Sequence, residues 1–161
     1  MLIDMTIPQV GKINWIGIRR KRKIDLEVVE TAEISEEEGL VGDRYRAKNK
    51  KRQITLIQKE HLDVVASLVG KKSIDPNLTR RNIVVSGINL IALKKMKFKL
   101  GDVILEGTGA CPPCSRMEEN LGAGGFHAMR GHGGITARVI KGGKISLGDA
   151  VSPVTRQNRC H

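Results

Sequence analysis

The sequence predicts a mainly β domain, a barrel or sandwich decorated by one or two helices, and three observations lead there. Short β-branched and apolar runs recur along the whole chain. Glycine-rich turns separate them. Only one segment has a clear helical period: Leu62, Val65, Ala66 and Val69 fall at the i, i+3, i+4, i+7 spacing. With 161 residues and 40% hydrophobic content, the chain suits one domain with a substantial core.

The elements follow in order. Val10 to Ile18 reads as a strand with Ile13, Trp15 and Gly17 on one face at period 2. Leu26, Val28 and Val29 indicate a second strand, and Gln53 to Ile57 a third. The helix comes next and Gly70 ends it. Arg81 to Val85 is another strand, stopped by Ser86-Gly87, and Val103 to Glu106 and Thr136 to Ile140 follow. Lys141-Gly142-Gly143-Lys144 reads as a hairpin turn, because two glycines accept the positive φ of a primed turn. Ile145-Ser146-Leu147 is then the return strand. Leu100-Gly101-Asp102 and Leu147-Gly148-Asp149 repeat one local turn before an extended run. Residues 1–161 read as one domain, with 152–161 a frayed tail that holds Cys160.

Charge narrows the function classes. There are 28 Lys+Arg against 17 Asp+Glu, a net +11. Such an excess serves nucleic acid, an acidic membrane, a small anion or plain solubility. The aromatic residues are Trp15, Tyr45, Phe98 and Phe126, too few for a base-stacking platform. The longest uncharged run, Asn82 to Leu93, is far short of the ~20 residues of a membrane helix. No secretory signal is visible and three cysteines make no full disulfide framework, so a cytoplasmic setting is expected. The basic residues gather in Arg19 to Lys23, Arg46 to Arg52 and Lys94 to Lys99, with an acidic stretch from Asp25 to Glu38 between the first two. These runs read as solvated faces or loops.

The chemistry concentrates in Cys111-Pro112-Pro113-Cys114-Ser115-Arg116-Met117-Glu118. Ser115 and Glu118 match a capping box, which predicts a short helix from Arg116 to Leu121 stopped by Gly122. Cys114 then stands just before a helix N-terminus and beside Arg116, a setting that favours a thiolate. A thiolate is both a nucleophile and a soft metal ligand. Downstream, Gly122 to Gly134 is dense in glycine yet holds His127, Arg130 and His132, the pattern of a loop that approaches an anion.

Two motif readings compete here. Cys111, Cys114, His127 and His132 have C-x2-C-x12-H-x4-H spacing, as in a zinc finger. Glu118 and Gly124, however, stand where a finger needs apolar residues. Cys-Pro-Pro-Cys also has thioredoxin spacing, but the sequence reading finds no βαβ unit before it.

A third reading comes from resemblance. The chain resembles the MOSC domain, related to the C-terminal part of molybdenum-cofactor sulfurase. The resembling segments are Gly39 to Arg44, Arg52 to Ile57, Arg80 to Ile88, Gly101-Asp102-Val103, Cys111 to Glu118, Gly131 to Ile135 and Gly148-Asp149, in that order. The resemblance as a whole covers roughly Gly11 to Val151. The resemblance implies a pyruvate-kinase-like β-barrel and a role with molybdenum cofactor (molybdopterin) or with sulfur bound for metal centres. It implies that Cys114 carries sulfur as a persulfide or ligates molybdenum. It implies that Arg80 and Asn82 hold the cofactor's phosphate or pterin.

Arginine binds phosphate as a bidentate fork, so Arg44, Arg52, Arg116 and Arg130 are further candidates for a cationic pocket. His132 is a candidate proton donor or pocket wall, and Cys111 a candidate to resolve a persulfide on Cys114. The family's reductases carry an N-terminal extension, and some have Ser before the cysteine where this chain has Pro113. No pyridoxal-phosphate site is apparent, so a sulfur carrier would depend on partners: cofactor-biosynthetic enzymes, or a cysteine desulfurase as donor. The alternatives are a molybdenum-dependent reductase of N-hydroxylated compounds and a non-catalytic anion- or nucleic-acid-binding module.

Overall fold

The computed structural model describes residues 6–44 and 50–154. Cys160, Arg46 and Tyr45 lie outside the described residues. Seven strands close a mixed barrel: β1 (Gly11–Ile18), β6 (Ile83–Ser86), β5 (Ile54–Gln58), β9 (Ile135–Lys141), β8 (Val103–Ala110), β7 (Lys97–Leu100) and β11 (Ala150–Pro153), in spatial order. β11 pairs with both β7 and β1, which completes the ring. β2 (Glu27–Val29) lies on the other half of the same edge of β1. A separate three-stranded sheet has β3 (Thr31–Ser35) between β10 (Gly143–Ser146) and β4 (Gly39–Leu40). The chain is thus mainly β, as expected.

The helix at Leu62–Val69 is present as α1 (Lys59–Leu68), followed by Gly70 at φ 74°. It joins β5 to the parallel strand β6, so the structure does contain a βαβ unit that the sequence reading did not find. The cysteine motif instead follows β8, a strand antiparallel to both its neighbours. α2 (Arg116–Leu121) has its predicted bounds, and α3 (Gly125–Ala128) follows it.

Two apolar clusters result. The first fills the barrel, with Ile13, Ile16, Leu56, Ile83, Phe98 and Leu105 among its members. The second lies between the barrel wall and the three helices, where Ile57 and Val84 meet Leu62, Val65, Met117 and Leu121. Burying each such side chain is worth about 1.5–3 kcal/mol. This second cluster fixes α2, and with it the cysteine loop, against β5 and β6.

Three sequence expectations change. The period of β1 breaks at a bulge between Ile13 and Trp15. Ile13, Ile16 and Ile18 therefore enter the barrel core, and Trp15 packs on the outer cluster. The expected hairpin at Gly142-Gly143 does not form, because β10 pairs with β3 and not with β9. Gly142 has a negative φ, and a Cβ there would overlap the carbonyl oxygen of Ile34. Its glycine serves a close approach of strands, not a primed turn. Finally, Lys94–Lys99 contains a strand. In β7 Lys97 faces out while Phe98 and Leu100 are buried. β11 runs through Pro153, and residues 155–161 lie outside the described part.

Gly134 tests how tightly the loop after α3 meets β5. Its φ is 84°, and a Cβ there would overlap the Leu56 carbonyl oxygen. Gly148 has a similar φ of 87° with nothing within 4 Å. Denaturant melts of Gly134→Ala should show a loss of about 2–4 kcal/mol, against about 1 kcal/mol for Gly148→Ala. Equal losses would mean that φ alone matters at Gly134.

Candidate functional site

The site is organised from the head of β6. Asn82 is fully buried. Its amide nitrogen donates to Gly17 O at 3.1 Å and to Asp43 Oδ1 at 3.0 Å. Its Oδ1 accepts from Thr55 N, Thr55 Oγ1 and Arg19 Nη2. Both amide hydrogens and the carbonyl are therefore used within the protein. Arg19 also pairs with the buried Asp43 carboxylate at 3.2 Å. Asn82, matched by resemblance to a pterin-binding residue, here ties β1, β5 and the Asp43 segment together and offers no free polar group to a ligand.

Arg81 points the other way and is 4% exposed. Its Nε donates to Gly133 O at 2.8 Å, Nη1 to Thr79 O at 3.1 Å and Nη2 to Pro112 O at 3.3 Å. Among the described residues no carboxylate pairs with it. Burial is the largest influence on its guanidinium and disfavours the charge, and the Cys111 sulfur comes next and favours it. Burying a cation costs several kcal/mol. Three charge-assisted bonds of about 1.5–3 kcal/mol each offset that cost. Arg81 thus clamps the cysteine loop and the Gly133 loop to one point.

Those two loops also meet directly. Cys111 N donates to Gly134 O at 2.8 Å. A Cβ on Gly133 would lie 2.6 Å from Cys111 O. Cys111 is 3% exposed and accepts a bond from Arg52 Nη2 at 3.7 Å. Cys114 is exposed, and neither cysteine is in a disulfide. The CPPC turn therefore gives one sulfur to the interior and one to solvent.

The capping box does not form. Ser115 has helical φ and ψ and makes no side-chain cap bond. Glu118 instead accepts from Gly124 N at 3.0 Å and Phe126 N at 3.1 Å, at the start of α3. These two amide bonds pull its carboxyl below the usual range. The same glutamate that signals α2 in the sequence fastens α3 onto it.

Beside α2 lies a polar cleft of about 310 Å³, lined by Lys23, Asp25, Asn77, Arg80, Arg116 and Glu119, with Leu78 and Asn120. It is at the small end of ligand pockets, which run from about 300 to 1,000 Å³. Asn120 Nδ2 donates to Leu78 O at 2.9 Å and joins α2 to the 3-10 turn Pro76–Thr79. Arg80 Nη1 donates to Ile24 O at 2.6 Å. Burial, then repulsion from Arg19 and Arg116, pulls Arg80 below its usual range, while Asp25 and Asp43 oppose. Among the described residues the non-glycine positions with positive φ are Lys23, Lys50 and Arg80. Two of them line this cleft, and such strain gathers at functional sites.

His132 Nδ1 lies 3.1 Å from Ala128 O. A carbonyl only accepts, so Nδ1 carries a proton and donates to it. Its ring meets His61 of α1 edge-on, with centroids 5.2 Å apart. Arg44 and Arg130 are exposed. The structure thus joins Arg80 to Arg116 and Arg52 to Cys111. Asn82 is withdrawn into the protein, and Arg44 and Arg130 make no contact with either group among the bonds described. Among the described residues no three His, Cys, Asp or Glu gather as metal ligands, so the zinc-finger set is not assembled.

A family model for the MOSC domain matches residues 31–152. The chain belongs to the MOSC domain family. A search of curated proteins finds no match. Solved structures share the MOSC fold at low identity. YuaD of Bacillus subtilis is 19% identical, covering 88% of this chain and 94% of that one, with a TM-score of 0.76. YiiM of Geobacillus stearothermophilus is 16% identical, covering 91% and 76%, with a TM-score of 0.73. YiiM of Escherichia coli is 18% identical, covering 90% and 70%, with a TM-score of 0.66. In this MOSC domain the sequence reading missed Arg81 and His61. Arg81 had a partial signal: the sequence places it at the head of a strand run whose residues Ile83 to Val85 are apolar on both faces, and the structure buries it there.

The His pair makes stability depend on pH. Burial, then His132, lowers the His61 pKa below 6.5, with Glu60 opposing. The unfolded chain therefore binds its proton first as pH falls. Stability from this group is complete above about pH 7 and declines below about 6.5, ceasing to change once folded His61 also protonates. Melting temperature against pH should show that decline in wild type and a shallower one in His61→Gln. Identical profiles would remove His61 from the account.

Proposed function

We propose that this MOSC domain handles molybdenum cofactor or the sulfur destined for it, binding an anionic ligand in the Arg80–Arg116 cleft and carrying sulfur or ligating molybdenum at Cys114. One observation carries the reading: the exposed thiol of Cys114 stands two residues from Arg116, which shares a strained, basic cleft with Arg80. Lys23, Arg80 and Arg116 outweigh Asp25 and Glu119 there, so the donor set fits a phosphate.

Arg80 and Arg116 would hold the cofactor's phosphate, while Asn77 and Asn120 shape the cleft through their own bonds, Asn77 to Leu26 N and Asp25, and Asn120 to Leu78 O. Bound molybdenum cofactor supplies redox and sulfur-ligand chemistry at the metal. Cys111 is shielded from an incoming protein thiol. In this reading it acts only on its own loop, by steadying it or by resolving a persulfide on Cys114.

Incubation with a cysteine desulfurase and cysteine, followed by intact-mass analysis, tests the carrier role. Wild type should gain one sulfur atom that a thiol reductant removes, and Cys114→Ala should gain none. Equal uptake by both proteins, or none by wild type, overturns it.

A further inference from the structure

A second charged feature lies on the outer barrel wall, away from the cleft. Gly107 of β8 has no Cβ, and one there would overlap Leu93 O and crowd the Lys94 backbone. The chain after the 3-10 turn Leu90–Leu93 therefore crosses directly over β8. Met96 O accepts from Gly107 N at 2.9 Å, and Lys95 Nζ donates to Thr108 O at 2.9 Å. From the other side Thr108 Oγ1 donates to Lys51 O. Two basic segments, Lys50–Arg52 and Lys94–Lys97, are thereby brought together on Gly107 and Thr108.

Lys50, Lys51, Arg52, Lys94, Lys95 and Lys97 are all exposed. Among the described residues Glu106 lies opposite Lys97 in register and pairs with Arg138 Nε at 2.6 Å, so its charge is met by Arg138. The acidic turn at Glu36–Glu38 reaches the chain at Gln53, whose Nε2 donates to Glu36 O at 2.8 Å, and it bounds the face beyond Arg52. Arg52 is also the residue that touches Cys111 Sγ. The basic face therefore runs up to the cysteine loop.

We propose that this face docks an acidic partner protein that exchanges sulfur with the cysteine loop. The proposal rests on the sulfur-handling reading above. The Arg80–Arg116 cleft is not lined by these residues, so the face suits a macromolecule more than a small anion. Trp15 packs on the helix cluster, Phe98 is inside the barrel and Phe126 is on α3. Among the described residues the face carries no aromatic for base stacking, which favours acidic protein over single-stranded nucleic acid. In the exchange the Cys114 thiolate attacks the outer sulfur of a persulfide on the partner. The partner's S–S bond breaks, a persulfide forms on Cys114 and the partner's thiolate leaves. No outside oxidant is needed, and a charged landing area beside the loop raises the encounter rate.

Binding of a fluorescent polyglutamate peptide, by anisotropy at two salt concentrations, tests the face without any sulfur chemistry. Lys94→Glu/Lys95→Glu is compared with Lys71→Glu/Lys72→Glu, an equal charge change beyond the end of α1. The first should weaken binding at least tenfold, and the second should stay within about twofold of wild type. A duplex DNA of equal charge serves as competitor. Equal loss in both variants would reduce the effect to net charge, and tighter binding of DNA would replace the protein partner by nucleic acid; either overturns the proposal. Sulfur uptake at Cys114 is measured separately, so a failed carrier role and a failed docking face are distinguishable. With an activated disulfide on the same peptide, wild type should react faster than with a neutral peptide, and only the Lys94→Glu/Lys95→Glu variant should lose that advantage.

Discussion

Two adjacent buried polar residues, Arg81 and Asn82, hold this molecule's site to its barrel. They stand at the head of β6 and face opposite ways. Asn82 bonds inward to β1, β5 and Asp43. Arg81 bonds outward to the loops that carry Cys111 and Gly133. A buried unsatisfied polar group costs about 1–3 kcal/mol, and a buried unpaired charge more. Neither side chain can leave its partners without that loss, so the cysteine loop inherits the rigidity of the barrel wall.

That constraint explains the division of labour around the site. Cys111 is held within the protein, against Gly134 and Arg52, while Cys114 is left in solvent three residues later. The helices do not position Cys114 through a cap on α2. They do so through the apolar cluster under Met117 and Leu121 and through Glu118, which locks α3 onto α2. The cations then lie in two places: Arg80 and Arg116 in the cleft, and Lys50–Arg52 with Lys94–Lys97 on the barrel wall.

Much of this was legible in the sequence. Apolar alternation and the single helical period placed β1, β5, β6, β9 and α1, and α2 was found with its bounds. The MOSC resemblance named the family and the barrel. The misses have physical causes. A bulge shifts the period of β1, which no local pattern announces. β3 lies in an acidic stretch, and β7 and β11 are short strands whose partners are distant in sequence. Gly142 has the composition of a turn, but its purpose is contact with Ile34, which only tertiary structure supplies. Asn82 takes its ligand role only from the family resemblance, which carries no information on local bonding. Its saturation by five neighbouring groups depends on segments separated by up to 65 positions.

The central claim is that one buried guanidinium holds the cysteine loop. Hydrogen exchange of wild type and Arg81→Lys tests it directly, because lysine keeps the charge but not the planar fork. The account predicts faster exchange together at the Cys111 amide, at 114–117 and at 131–134, with β1, β7 and β8 protected as in wild type. Unchanged protection of the Cys111 amide in the variant would contradict it.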